Sequence, residues 1–227
     1  TDIRQQLAQG IFPPELPMQV AEYIRLMGLY GVPSTIPQAE ETYRKLRLAL
    51  SDKRLLHSLL VAATARGLAI DHRMNLAQCE TAGLLHDCAK CMPLQAQQRI
   101  ARENRLLLDD ETLASDNLLH GPVGAVIAET EYSVRDVNIL SAIRCHTTGR
   151  VGMLPTDMVL FLADKIEPSR RTYPALEDVR VMARKNLVAA TLTSMRSTMA
   201  YVSRQKATLH PTTQRVVQWL ERLPSSV

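Results

Sequence analysis

Ionisable side chains sit inside apolar helical runs of this chain, and that limits what it can fold into. Leu84-Leu85-His86-Asp87-Cys88-Ala89-Lys90 sets an imidazole beside a carboxylate directly after an apolar stretch. His57 falls in a second apolar helical segment, and His120 and His146 lie in or beside others. Asp164 sits within Val159-Leu160-Phe161-Leu162-Ala163-Asp164. Polar rings and carboxylates buried without partners are costly, so these groups must meet one another or an ion. Neutral imidazole and carboxylate are both good ligands for divalent transition metals. Adjacent residues on a helix project about 100° apart, so His86 and Asp87 reach one ion only at a helix end or a distortion.

The apolar periodicity is helical throughout. Aromatic residues make up only 4% of the 227 residues, so a core must come from Leu, Val, Ile, Ala and Met, a mixture that favours helices over sheet. The expected helices run over 38–50, 54–70, 75–87, 93–105, 134–145, 156–166, 176–184, 187–205 and 211–223. On the second of these, Leu56, Leu59, Leu60, Ala63 and Leu68 form the apolar face, with His57 near the Leu60 edge. Gly121-Pro122 reads as a helix start just after His120. Ser133 to Asp136 reads as a capping box, with Val137, Leu140 and Ile143 facing inward on the helix that follows. The polar helix 93–105 reads as a wall or lid, 109–117 as an acidic loop or short helix, and His72 as a solvated loop residue.

The net charge of +4, from 27 basic and 23 acidic residues, is scattered and forms no basic stripe of the nucleic-acid-binding kind. It is compatible with a small anionic substrate. No apolar run is long enough to span a bilayer, which argues against a membrane partner. Cys79, Cys88, Cys91 and Cys145 make no secreted disulfide framework, and the expected location is the cytoplasm. The Cys88-x-x-Cys91 pair lacks a second pair at zinc-ribbon spacing.

The order His57, His86-Asp87, His120, His146, Asp164 resembles the six-ligand pattern of dinuclear HD-domain phosphohydrolases. The words Leu118-Leu119-His120-Gly121-Pro122-Val123-Gly124-Ala125, Ile143-Arg144-Cys145-His146-Thr147-Thr148-Gly149-Arg150 and Leu162-Ala163-Asp164-Lys165-Ile166-Glu167-Pro168 resemble the YqeK family of symmetrical diadenosine tetraphosphate hydrolases. The resemblance covers roughly residues 50 to 222 and implies an all-α HD-domain helical bundle. It implies two transition-metal ions, iron first, with manganese, cobalt or zinc able to use the same ligands. Asp87 would lie between the ions, with His57, His86 and Asp164 completing one site and His120 and His146 holding the other.

Asp87 and Lys90 are the expected catalytic residues. Lys90, Thr147, Thr148, Gly149, Arg150, Lys165, Glu167 and Arg170 are candidates for contacting the substrate, since hydroxyls and cations suit phosphate oxygens. The function implied is cleavage of diadenosine tetraphosphate to two ADP. The alternatives are an HD-domain nucleotidase or phosphodiesterase acting on another nucleotide, or a regulatory module that binds a nucleotide without turnover.

Residues 1–31 read as a separate short helical appendage. Val20-Ala21-Glu22-Tyr23-Ile24 through Gly28-Leu29-Tyr30 resembles the C-terminal end of bacterial nicotinate-mononucleotide adenylyltransferases, and Thr1 to Arg4 the tail of that family's phosphate-contacting motif. That family's nucleotide-binding half is absent here, so the resemblance implies a fused two-enzyme protein with an adenylyltransferase domain preceding this chain. An unrelated helical hairpin is the alternative. Residues 32–50 read as a proline-containing linker and first helix, and 51–227 as the metallohydrolase, for which a homodimer is an allowed assembly.

Overall fold

The structure, a computed structural model, describes residues 2–36, 38–205 and 209–223. Thr1, Pro37 of the linker and the last four residues of the hydrolase segment, all within the expected domain ranges, lie outside the described residues. The elements are α1 (Ile3–Ala8), α2 (Met18–Met27), α3 (Ala39–Ala49), α4 (Asp52–Asp71), α5 (Leu76–Leu85), α6 (Leu94–Glu103), α7 (Asp110–Leu113), α8 (Asp116–Thr130), α9 (Val137–Cys145), α10 (Pro155–Ile166), α11 (Leu176–Ala183), α12 (Leu187–Arg204) and α13 (Pro211–Glu221). There is no strand among the described residues, and the bundle is all-α.

The centre of the bundle is α10, which packs on α4, α5, α9 and α12. Its segment Val159-Leu160-Phe161-Leu162-Ala163 is buried on every side. A helix apolar all round belongs in the middle of such a bundle. Beside it α4 and α5 lie unusually close. A Cβ on Gly83 of α5 would come within 2.8 Å of the Ala62 Cα on α4, so only glycine permits this approach. That contact fixes where the C-terminal end of α5, and therefore His86, falls relative to His57 on α4.

Helix α8 departs from expectation. It starts at Asp116, and Gly121 and Pro122 lie inside it. An interior proline costs about 3 kcal/mol. Burial of Leu119, Val123 and Ile127, spaced four apart on one face, offsets this at roughly 1.5–3 kcal/mol for each large aliphatic chain. His120 is thus a mid-helix residue. Gly121 and Gly124 let α8 approach α9, since a Cβ on Gly121 would meet the Arg144 carbonyl oxygen at 3.0 Å.

Helix α9 starts three residues later than expected. Asp136, not Ser133, caps it, accepting from the Asn138 and Ile139 N–H groups at 2.8 and 3.4 Å. Ser133 is held in the left-handed region, at φ 56°, as the chain leaves α8. With that shift Val137 is exposed, and Ile139, Ala142 and Ile143 face inward. On α4, Leu56 is exposed and Leu55 is buried, because the apolar face is rotated from the one expected. His72 ends α4, and its ring Nε2 donates to the Ala183 carbonyl at 2.6 Å, so it is a tie to α11 and not a free loop residue.

The N-terminal piece is packed on the bundle. Helix α2 lies against α4, and Leu26 joins the main core. Leu7, Ile24 and Val32 form a small satellite core. In the expected linker Val32 and Ile36 are buried, and the Thr35 hydroxyl donates to the Glu80 carboxylate on α5.

Candidate metal centre

Five elements deliver the six candidate ligands. His57 stands in the second turn of α4, one turn after Arg54. His86 caps the C-terminus of α5, and Asp87 follows where the helix gives way to turns. This is the helix end that neighbouring ligands require. His120 comes from α8, His146 caps the C-terminus of α9, and Asp164 lies in the last turn of α10. All six are buried.

Each imidazole is oriented through its Nδ1. His86 Nδ1 donates to the Gly83 carbonyl at 2.7 Å and His146 Nδ1 to the Ile143 carbonyl at 2.8 Å. His120 Nδ1 donates to the Asp116 carbonyl at 3.1 Å, and His57 Nδ1 to Glu167 Oε1 at 3.1 Å. With every Nδ1 proton committed, every Nε2 offers its lone pair inward. This is the arrangement metal-ligating histidines adopt.

The four Nε2 atoms converge on the two carboxylates. His57 Nε2 is 3.1 Å from Asp164 Oδ1, and His86 Nε2 is 3.7 Å from the same oxygen. Asp87 reaches both ways: Oδ2 lies 3.6 Å from His86 Nε2, while Oδ1 lies 3.1 Å from His120 Nε2 and 3.9 Å from His146 Nε2. The rings form a row, with centroids 5.2 Å apart for His57 and His86, 5.1 Å for His86 and His146, and 4.9 Å for His146 and His120. Two groups close enough to hold an ion result, His57 with His86 and Asp164, and His86 with Asp87 and His146. His120 adjoins the second, its Nε2 3.0 Å from that of His146.

The residues fit divalent metals. His86 Nε2 is buried with no hydrogen-bond partner, a costly orphan that an ion satisfies. Two nitrogens sharing an ion at about 2.1 Å each lie roughly 3 Å apart or slightly more, as those of His120 and His146 do. Nitrogen-rich ligation selects transition metals over magnesium.

The electrostatics favour the binding forms of His86, His146, Asp87 and Asp164, whereas the His57 imidazole is raised, against its burial, by Asp164 and Glu167. Burial pushes the His146 imidazole down to about 3, aided by the neighbouring His120 and His86. Burial also lowers His86. Burial alone would raise the Asp87 carboxyl, but His86, His120 and His146 hold it well below the usual carboxylate range. Asp164 is likewise held low, against its burial, by Lys165, His57 and Arg170.

The other sequence candidates divide into two sets. Lys90, Lys165, Glu167 and Arg170 adjoin the histidine–carboxylate cluster. Lys90 Nζ donates to Asn117 Oδ1 at 2.8 Å and lies 3.4 Å from His120 Nδ1, and burial lowers its pKa. Lys165 Nζ is 3.3 Å from Asp164 Oδ2. Arg170 pairs with the Asp164 carboxylate. Glu167 is 1% exposed and holds His57 and Ser169, so it positions a candidate ligand and has little surface for a ribose or water.

The 147–150 segment is occupied elsewhere. The Arg150 guanidinium binds Asp157, a fully buried carboxylate, at 2.8 Å, and Ser141 at 3.1 Å. The Thr148 carbonyl accepts from Thr213, and Gly149, at φ 71°, is packed where a Cβ would strike the Met195 side chain. Thr147 follows His146 directly but, like these three, does not line the main cavity.

That cavity, about 670 Å³, opens beside His57 and Glu167. Lys53, Arg54, Lys165, Arg170, Arg171 and Arg204 line it against the single carboxylate Glu167. Arg54 was not singled out from sequence, yet its Nη1 donates to Asp87 Oδ2 at 2.9 Å. Its position three residues before His57, on the same helix face, is the signal that marks it.

The HD domain model matches residues 54–169, from Arg54 to Ser169. The chain belongs to the HD-domain family. A symmetrical bis(5'-nucleosyl)-tetraphosphatase of Bacillus subtilis is 33% identical over 184 residues, covering 80% of this chain and 96% of that protein. A probable nicotinate-nucleotide adenylyltransferase/Ap4A hydrolase of Mycoplasma genitalium is 33% identical over 156 residues, 69% of this chain and 41% of that protein. A predicted HD superfamily hydrolase involved in NAD metabolism from Clostridium acetobutylicum superposes with a TM-score of 0.78 at 32% identity, covering 82% of this chain and 98% of that one.

Proposed function

We propose that this chain is a metal-dependent hydrolase that splits diadenosine tetraphosphate symmetrically into two ADP. The observation that carries this is the row of four histidines, each anchored through Nδ1, whose Nε2 atoms meet two buried carboxylates beside a cationic cavity. The B. subtilis relative supports the substrate. His57, His86 and Asp164 would hold one ion and His120 and His146 the other, with Asp87 placed to serve both. Iron is the first candidate, with manganese, cobalt and zinc able to use the same donors. Two such ions supply Lewis acidity toward phosphoryl oxygens and acidify water.

The chain's own groups do the rest. Arg54 fixes the rotamer of Asp87. Glu167 fixes the ring of His57. Lys53, Arg54, Lys165 and Arg171 attract and align the polyphosphate, and charge-assisted contacts of this kind are the strong ones. Lys90, held by Asn117 at the His120 end of the row, would meet the bridging oxygen that departs with one ADP as a water oxygen bonds to the inner phosphorus it leaves, the water's proton passing to solvent.

The N-terminal helices are the end of an adenylyltransferase-like domain in a longer fused protein, a reading the Mycoplasma relative supports. All four cysteines are free, in keeping with a cytoplasmic setting. No helix among the described residues is long and apolar enough to cross a membrane.

Hydrolysis of diadenosine tetraphosphate in oxygen-18 water, read by mass spectrometry, tests the reading. The expected result is ADP alone, with one label per pair of products, dependent on added metal after chelation. AMP with ATP as products rejects symmetrical cleavage. Tight ADP binding without turnover in the metal-loaded protein would instead favour the regulatory module.

A further inference from the structure

The cavity beside His57 has a wall that the metal chemistry does not use. Ser194, Ser197, Thr198, Tyr201 and Arg204 of α12 line it. Their spacing of three or four residues puts them on one helix face, running about 15 Å away from the cluster at 1.5 Å per residue. Near the core its hydroxyls serve the bundle, Ser197 donating to the Pro174 carbonyl at 3.3 Å and Thr198 to the Ser194 carbonyl at 3.1 Å, but its outer end is an aromatic ring and a cation facing the cavity. Tyr201 is 58% exposed, a large ring left to solvent at a cavity rim. Aromatic faces of this kind are platforms for nucleobases, and stacking on one is worth about 1–3 kcal/mol. A volume of about 670 Å³ lies within the range of small-molecule pockets and suits one nucleotide, not both halves of a dinucleotide.

We propose that the α12 face is the subsite for one nucleoside of the substrate, with Tyr201 stacking on the base and Arg204 closing the outer end. The assignment rests on the phosphoanhydride-hydrolase reading given above. A base held by its face, beside hydroxyls whose protons are already donated to backbone carbonyls, is gripped with little regard to purine identity. The second nucleoside then projects out of the cavity, and ADP is retained here as product.

The test compares Tyr201→Ala and Tyr201→Phe with the wild-type protein, all metal-loaded. Tyr201→Ala is expected to raise the KM for diadenosine tetraphosphate about tenfold, the scale of one lost stacking contact, with the change falling on KM more than kcat. Tyr201→Phe, which keeps the π face, restores the KM. Inhibition by inorganic tetraphosphate, which has no base, is expected to be equal in all three. Diguanosine tetraphosphate should follow the same pattern. A wild-type KM in both variants overturns the subsite while leaving the hydrolase reading standing. So does an equal loss of tetraphosphate inhibition, which marks general damage to the cavity. If the wild-type protein does not split the dinucleotide, the hydrolase reading fails by itself. Calorimetric titration with ADP then decides the subsite, since Tyr201→Ala must still bind it about tenfold more weakly for the proposal to hold.

Discussion

Single side chains in the cluster have separable jobs. His120 is buried but sits at the end of the histidine row, its Nε2 facing only His146 and Asp87. His120→Ala is expected to take metal content from about two ions per chain toward one, and to lower hydrolysis by about 10²-fold or more, since loss even of a group behind a ligand costs 10–100-fold. Elemental analysis alongside circular dichroism separates this from unfolding. Glu167 acts through His57, so Glu167→Ala is expected to weaken metal binding about 10–100-fold without removing a ligand, measurable by competition with a chelator. Arg150 behaves differently from a phosphate contact. It neutralises the fully buried Asp157, and removing one partner of such a pair costs about 3–5 kcal/mol. Its side chain is 37% exposed, and solvent screening brings the expected loss for Arg150→Ala to about 2–3 kcal/mol. A chemical denaturation midpoint left unchanged, with a rise in KM alone, would return Arg150 to the substrate.

The closeness of α4 and α5 is what holds the first half of the site together. His57 rides on α4, His86 and Asp87 end α5, and the two helices touch through Ala62 and Gly83. Gly83→Ala forces a Cβ to within 2.8 Å of backbone that has no freedom to retreat. Overpacking of this kind costs about 1–3 kcal/mol, and more where backbone must move. The variant is expected to lose both melting temperature and metal affinity, because separating the helices draws His57 from His86. Gly67, also on α4 but with open space around it, is the control. Gly67→Ala is expected to be neutral or stabilising by up to about 1 kcal/mol.

Across the whole molecule, the seam between the N-terminal helices and the bundle carries its own pH dependence. Glu22 of α2 is buried beside Glu80 of α5, carboxyl near carboxyl. Burial, and then Glu80, raise its pKa to about 9 from an ordinary 4.5. The folded chain therefore keeps a proton that the unfolded chain has lost. Stability is fully present below about pH 4.5 and declines as pH rises toward about 9. Glu22→Gln presents a donor beside Glu80 and has no proton to lose. It is expected to stabilise the protein at pH 8 by about 1–3 kcal/mol and to change little at pH 5, as read from melting temperatures at the two values. The same seam alters what removal of residues 1–31 should do. From sequence they look detachable, but α2 covers α4, the helix that carries Arg54 and His57. Their deletion is expected to lower the melting temperature while leaving the ligands themselves in the chain.

The sequence by itself determined the helical class, most helix limits and the set of titratable groups that had to be buried together. These follow from short-range causes: apolar periodicity, capping residues, and the cost of placing His86, His120 or Asp164 in apolar runs. It did not determine where α8 and α9 begin, because burial of Leu119, Val123 and Ile127 overrules the local signal of Pro122, and Asp136 competes with Ser133 as a cap. Nor did it separate Arg150 from Arg54 as a cation near the site. That depends on Asp157 and Asp87, and on which of them a given guanidinium reaches once the chain is folded. The partner of His57, Glu167, is 110 residues away along the chain. A pattern of residue types records what must find a partner. Only packing of the helices in three dimensions selects which partner each group finds.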